Sequence, residues 1–389
     1  MRNANTTLAN WQEPDENKWA FSHVRELIPT ERISRGEGPP VPFELGEPLD
    51  LDRISFDAQG RTFSVREALD ATHTDAVVVL HHGRIVFEEY GPEMSRSQTH
   101  ILMSVSKSVT STLTGILVGE GLLRTSDLVT DHIATLVGTS LEGCTVQNLL
   151  DMRGGVRFSE DYADLHADVR IYEQVAGHRP RTDVGPTENL YDYMATLAPR
   201  GEHGGTFDYQ SILTDILGWV LESCAGMTFA QLVSDRIWSK MGAQYDAEVT
   251  VDVGGCALAD GGVCATALDL ARFGLLHLRG GRANGVQVVP AQWVRDCTTT
   301  SDDLVNAFPT TISEGTNRFT MYHNCWWVVD PEAPVSAGLG IYGQFLHLDA
   351  VNDTVVAKFS SWPHALETDL GDLHFELANA LGKAAHDAR

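Results

Sequence analysis

Ser104 and Lys107 stand three residues apart in Met103-Ser104-Val105-Ser106-Lys107-Ser108. A run with Val109, Leu113, Ile116 and Leu117 at helical spacing follows. Residues three apart share a helix face, with Cβ atoms about 5–6 Å apart, so the Lys107 amine can reach the Ser104 hydroxyl from the next turn. A serine hydroxyl is a weak nucleophile until a neighbouring base takes its proton. If Ser104 opens the helix, it also meets the positive end of the helix dipole, which favours negative charge on its oxygen. The plainer alternative is an N-cap serine followed by a solvated lysine. Composition weighs against it. The chain has five lysines (Lys18, Lys107, Lys240, Lys358 and Lys383), and only Lys107 has a serine three residues before it. The other basic side chains are arginines, which stay protonated and cannot serve as bases.

Two further stretches complete a possible site. Asp208-Tyr209-Gln210-Ser211 precedes a helical run, Ile212 to Trp219. A phenol has a pKa near 10, but a neighbouring ammonium favours its phenolate, so Tyr209 and Lys107 can share proton transfer as a coupled pair. Gly338-Leu339-Gly340-Ile341-Tyr342-Gly343-Gln344 reads as a strand whose glycines permit close approach to the backbone. A backbone N–H there, with that of Ser104, can hold the oxyanion of a tetrahedral intermediate. Taken singly, a tyrosine packed before a helix and a bulged strand account for both stretches equally well.

The elements that must carry these residues read as follows. Residues 1–50 look like an extended arm broken by Gly38-Pro39-Pro40. Asp75 to Leu80 and Ile85 to Phe87 read as paired strands around His81-His82-Gly83-Arg84. The two histidines fit a polar hairpin tip better than a metal site. From 125 to 245 the pattern is mostly helical, with helices near 145–151, 187–198, 211–224 and 228–241. A long loop, 153–186, interrupts it and contains Glu160-Asp161-Tyr162 and Ile171-Tyr172-Glu173. Asp260-Gly261-Gly262 precedes a helix over Ala267 to Leu278. Strands return at Cys325 to Val329, Ile341 to Leu348 and Val355 to Phe359, and a helix from about Leu373 to Ala385 closes the chain. The expected architecture is α/β (α+β): an antiparallel sheet flanked by helices, formed by 1–124 and 246–389, with an inserted all-helical domain at 125–245. The cleft between the two is a natural pocket.

The 389 residues carry 28 basic and 53 acidic side chains, a formal charge of −25. That balance argues against nucleic-acid or anionic-membrane partners. A solvated acidic surface is the plain reading, and a field drawing in cationic substrates the sharper one. No apolar run approaches a membrane span. The polar stretch Met1 to Lys18 lacks a signal-peptide core, so a cytoplasmic protein is expected. Its six scattered cysteines then read as free thiols, and no metal site or cofactor is expected.

In order and spacing, Ser104-x-x-Lys107, Tyr209-x-Ser211 and the glycine-containing third stretch resemble the serine β-lactamase and penicillin-binding superfamily. Val146 to Met152, Ala265 to Phe273, and Gly280-Gly281 leading to Trp293 resemble its class C and carboxylesterase branch. Trp11-Gln12-Glu13-Pro14, Asn17 to Phe21, Glu160-Asp161-Tyr162, Gly340 to Gln344 and Ser360-Ser361-Trp362-Pro363 are similar to the 6-aminohexanoate-dimer (nylon-oligomer) hydrolases. That resemblance implies a β-lactamase-like fold, Ser104 as nucleophile, and Lys107 with Tyr209 as the proton-transfer pair. It implies an oxyanion hole from the Ser104 and Ile341 amides, with Tyr162, Ser211 and Trp327 lining the substrate site and Tyr162 bonding the leaving amine or the amide. Two departures stand out. Gly338-Leu339-Gly340 replaces the Lys-Thr-Gly or His-Thr-Gly of β-lactamases, so no cation there awaits a penicillin carboxylate. Tyr342 occupies a histidine position of the nylon-oligomer hydrolases, which bears on substrate and not on chemistry.

The expected function is hydrolysis of amides or esters of small carboxylic acids through an acyl-enzyme, with a small-molecule substrate and a homodimer as one possible assembly. The rivals are a carboxylesterase with little amidase activity, a non-hydrolytic acyl-binding sensor, and a scaffold that has lost activity. A sensor would carry a membrane span or signalling domain, and neither is visible. The intact Ser104, Lys107 and Tyr209 argue against an inert scaffold.

Overall fold

The computed structural model describes residues 5–182, 184–185, 187–308 and 318–388. Its centre is a seven-stranded antiparallel sheet. In spatial order the strands are Met321–His323, Trp326–Asp330, Val335–Gly340, Gln344–Asp349, Thr354–Ser360, Thr74–His81 and Arg84–Tyr90. The N-terminal hairpin therefore joins the C-terminal strands directly, with Val79 opposite Val356 and Val78 opposite Ala357. Ala76-Val77-Val78-Val79-Leu80 is fully buried. A continuous β-branched run of this kind suits a strand covered on both faces. The helices Ala267–Leu278 and Thr368–Asp387 pack against this sheet. Gly274 lets the first of them approach: a Cβ there would lie 2.7 Å from Val355 Cγ1.

The Ser106–Gly119 helix runs through the middle of the molecule, and every residue from Ser106 to Leu117 is buried. Its threonine hydroxyls are satisfied within it or by neighbours. Thr112 and Thr114 donate to the carbonyls four residues back, at 2.7 and 2.9 Å, and Thr110 donates to Ala259 O at 2.7 Å. Gly115 is required because a Cβ would lie 2.3 Å from the Trp293 ring. Between the two sheet-forming parts of the chain comes a mainly helical insertion. Its helix Ile212–Ala225 ends at Gly226, whose φ of 65° closes the C-terminus.

Several boundaries differ from the sequence expectation. The N-terminal arm is not simply extended. Asn17–Ala20 is a short helix, and Thr30–Ile33 joins a second, four-stranded sheet with Ala247–Thr250, Val263–Ala265 and His100–Ile101. Long-range hydrogen bonds, not local periodicity, fix the arm: Trp11 Nε1 donates to His178 O at 2.7 Å and Asn17 Nδ2 to Trp362 O at 2.8 Å. The loop expected at 153–186 contains a helix, Asp168–Val175, and the helix expected at 187–198 is only Leu190–Met194. The expected strand Ile341 to Leu348 is broken: one strand ends at Gly340, Ile341–Gly343 form a 3₁₀ turn, and the next begins at Gln344. His82 sits at its hairpin tip with Nδ1 2.7 Å from Asp353 Oδ2. All six cysteines are unpaired. Among the described residues no single helix is long and apolar enough to cross a membrane. The helices Ile212–Ala225 and Phe229–Met241, bent by 77°, reach that length and apolarity only as a pair, and their apolar side chains lie in the core.

Candidate active site

Ser104 lies in a 3₁₀ turn, Met103–Val105, just before the long helix, and so precedes the helix instead of opening it. Met103 holds a φ of 45°, a left-handed conformation that is costly for a side chain of this size and typical of functional turns. One helical turn on, Lys107 Nζ is 2.9 Å from Ser104 Oγ. It also lies 2.9 Å from Ser211 Oγ, 3.2 Å from Asp260 O and 3.5 Å from Asp260 Oδ2. The Tyr209 ring centroid is 5.1 Å away, and the phenol hydrogen-bonds the amine. An ammonium has three donors, and all of them are directed into this ring of oxygens.

This environment revises the simplest view of Lys107. As a free base it would need a depressed pKa. Burial does press in that direction, but the Tyr209 phenol and the Asp260 and Glu160 carboxylates outweigh it and raise the pKa. Lys107 therefore rests as an ammonium at neutral pH.

Ser211 relays a second contact. Its hydroxyl accepts from Lys107 and donates to Glu160 Oε1 at 2.6 Å, while its N–H donates to Glu160 Oε2 at 2.6 Å. The Tyr162 hydroxyl donates to the same Glu160 Oε1 at 2.8 Å. Glu160 thus faces three donors inside the protein. Burial still pushes its carboxyl pKa upward, against the pull of Lys107 and these hydrogen bonds. The proton of Tyr162 is committed to Glu160, and its oxygen retains lone pairs that can accept an N–H. Trp327 stacks on Tyr209, with centroids 5.5 Å apart and rings 20° from parallel.

The third stretch presses against the nucleophile turn. A Cβ on Gly340 would lie 2.7 Å from Leu102 O and 3.0 Å from Met103 Cβ, and one on Gly338 would lie 3.2 Å from Ser108 Oγ. Ile341 follows at the strand end. Tyr342 holds a φ of 61°, fixed by N–H donation to Ala365 O at 2.9 Å. Its ring packs on Phe21 of the N-terminal arm, 5.1 Å away, in a separate apolar cluster. A narrow, largely apolar cavity brings together Ser104, Glu160, Tyr162, Tyr209, Trp327 and Ile341, and runs on to Phe375 and His374. A wider polar vestibule shares Glu160, Tyr162 and Tyr209 with it.

The structure thus brings every candidate residue to one place: Ser104, Tyr162, Tyr209, Trp327 and Ile341 line the cavity, and Lys107 and Ser211 lie directly behind it. Sequence reasoning missed Glu160, Asp260, Tyr172 and Asp215. Glu160 and Tyr172 stood in the long loop, and Asp260 preceded Gly261-Gly262, but no spacing tied them to Ser104. No group of His, Cys, Asp or Glu among the described residues is arranged to hold a metal ion.

The beta-lactamase family model matches residues 64–380, and the chain belongs to that family. It is a serine hydrolase of the amidase and esterase kind. It is similar to the 6-aminohexanoate-dimer hydrolase of Paenarthrobacter ureafaciens, with 37% identity over 92% of this chain and 88% of the relative. A solved structure from Bacillus anthracis, provisionally named a 6-aminohexanoate-dimer hydrolase, superposes with a TM-score of 0.88 at 26% identity, over 99% of this chain and 98% of that one. A family VIII carboxylesterase shares the fold, with a TM-score of 0.60 at 16% identity over 82% of this chain and 96% of that one.

Proposed function

We propose that the protein hydrolyses linear amides of small carboxylic acids, of the 6-aminohexanoate-dimer kind, through an acyl-enzyme on Ser104. The observation that carries this reading is the 2.9 Å contact of Lys107 Nζ with Ser104 Oγ in a buried pocket that also holds Tyr209. Because Lys107 rests as an ammonium, the proton-accepting member of the pair is the Tyr209 phenolate that the ammonium stabilises. Ser104 Oγ attacks the substrate carbonyl and its proton passes to Tyr209. The Ser104 and Ile341 amides receive the oxyanion, the proton then goes to the departing nitrogen as the C–N bond breaks, and water repeats the sequence in reverse to free the acid. The Tyr162 oxygen, its own proton held by Glu160, accepts the amide N–H, while Trp327 forms a wall. We read 125–245 as the helical unit that carries Tyr162, Tyr209 and Ser211 to Ser104 and Lys107 at the start of the central helix and to Ile341 at the strand end.

One observation favours a narrower, esterase-only reading. The Tyr162 proton is already donated to Glu160, so Tyr209 alone must protonate a leaving nitrogen, a demand that an ester with a good leaving group does not make. Side-by-side assay of linear amides, cyclic amides and p-nitrophenyl esters, with wild type and Ser104→Ala, decides between them. Amide turnover lost in Ser104→Ala supports the proposal, and ester turnover alone supports the narrower reading.

A further inference from the structure

Beyond Asp260, which contacts Lys107, the Tyr172 phenol sits between two carboxyl groups. Its oxygen is bonded to Asp215 Oδ2 and lies 2.8 Å from Asp260 Oδ1. Asp215 Oδ1 also accepts the Asp260 N–H at 3.0 Å. All three side chains are buried. A phenol has one hydrogen and can donate it fully to only one oxygen. The second short oxygen–oxygen contact needs another hydrogen, and only a carboxyl can supply it. Asp260 is the group in contact with a cation, Lys107, through Oδ2 at 3.5 Å. Asp215 has no cation in contact among the described residues.

We propose that Asp215 is held as a neutral acid that donates to the Tyr172 oxygen, while Tyr172 donates to an ionised Asp260, so that Lys107 faces one counter-charge from below and not two. The groups facing Asp215 are Tyr172, Asp260, Lys107 and Cys256. Burial and the neighbouring Asp260 charge both push its carboxyl upward, more strongly than the Tyr172 bond and Lys107 lower it. Asp215 and Tyr172 are positioning residues: they act on the reaction through Asp260 and Lys107. A second full negative charge beside Asp260 would tighten the hold of Lys107 on its proton, because a nearby opposite charge favours the charged form. A neutral Asp215 keeps that proton exchangeable with Tyr209.

The functional part of this inference rests on the Lys107–Tyr209 pair proposed above, whereas the protonation state does not, so two readouts separate them. In infrared difference spectra at pH 7, wild type minus Asp215→Asn should show a protonated-carboxyl C=O band. The asparagine can keep both bonds, with Nδ2–H to Tyr172 and its carbonyl to the Asp260 N–H. In pH profiles of kcat/KM for an ester, Asp260→Asn should move the limb that reports the Lys107–Tyr209 pair to lower pH by about one unit or more. Asp215→Asn should move that limb by less than about a third of a unit, because it removes no charge. Absence of the band, or a limb shift in Asp215→Asn as large as in Asp260→Asn, overturns the proposal. If Asp215→Asn does not fold, Tyr172→Phe serves instead: it removes the acceptor of the Asp215 proton, so the carboxyl band should shift in frequency, and an unmoved band is equally fatal. A band with the expected behaviour but a limb unmoved by Asp260→Asn would retain the neutral Asp215 and refute the role assigned to Lys107.

Discussion

Gly340→Ala tests whether the third stretch delivers an oxyanion donor. Gly340 has φ −136° and ψ 147°, ordinary extended backbone, so an alanine adds no torsional strain there. The conflict is one of space. The new Cβ would lie 2.7 Å from Leu102 O, where ordinary contact begins at 3.4 Å, and 3.0 Å from Met103 Cβ. The nearest atom is backbone and cannot swing aside, so the strand end must retreat from the nucleophile turn by several tenths of an ångström. The Ile341 amide moves with it while the Ser104 amide does not. Losing one oxyanion donor typically costs about 10²–10³ in kcat, so kcat for a p-nitrophenyl ester should fall about 100-fold. Overpacking a core typically costs about 1–3 kcal/mol, which urea unfolding would report separately. Gly338→Ala is the control. Its Cβ would lie 3.2 Å from the Ser108 and Val105 side chains, which can adjust, and kcat should fall less than about tenfold. A folded Gly340→Ala enzyme with kcat within threefold of wild type, or a Gly338→Ala enzyme damaged as badly, would show that this strand end does not set the reacting geometry.

Intact-mass spectrometry after mixing with an activated ester should show one adduct, mapped to Ser104; hydrolysis undiminished in Ser104→Ala would remove the nucleophile from the scheme. Lys107→Arg should be nearly as inactive as Lys107→Ala, since the larger planar guanidinium does not fit a site where the lysine is 1% exposed; substantial activity would show that the close contact of the ammonium with Ser104 and Tyr209 is not needed. Tyr162→Phe should lower linear-amide turnover far more than p-nitrophenyl ester turnover, while Tyr209→Phe should damage both, and equal losses in Tyr162→Phe would mean that Tyr162 only anchors Glu160. Histidines whose pKa burial lowers bear on acid stability, among them His178, His277 and His347. Burial lowers His178 and His347 to about 4 and His277 to about 3, from 6.5. Below pH 6.5 the unfolded chain takes up protons that the folded state refuses, so stability falls as pH drops from 6.5 towards 4, by about 1.4 kcal/mol per unit for each histidine. The urea midpoint should follow this slope, and a His277→Gln variant that leaves the slope unchanged would contradict the assignment for that residue.

What could be read from the chain in advance was whatever local pattern encodes. The valine run at 77–79, the helical stripe after Ser104 and the Ala267–Leu278 helix are all properties of short windows, and the structure reproduces them within a residue or two. The Ser104–Lys107 contact belongs to this class too, because one helical turn suffices to make it. The N-terminal arm does not, since Trp11 and Asn17 find partners at His178 and Trp362, far along the chain.

The charged surroundings of the site were illegible for the same reason, and here the missing information changes the chemistry. Asp260 contacts Lys107 directly, Glu160 reaches it through Ser211 and Tyr172 through Asp260, from a turn, a loop and a helix that share no periodicity with Ser104. Sequence spacing therefore supplied a lysine near a serine but not its protonation state. A lone buried lysine would be driven towards the neutral amine, as burial drives Lys358. Lys107 is equally buried yet held as an ammonium, because the fold surrounds it with acceptors and acids. The same motif can thus place the base at the lysine or at the tyrosine, according to residues outside the motif. On the mechanism proposed above, the balance falls on Tyr209, with the Lys107 ammonium favouring its phenolate.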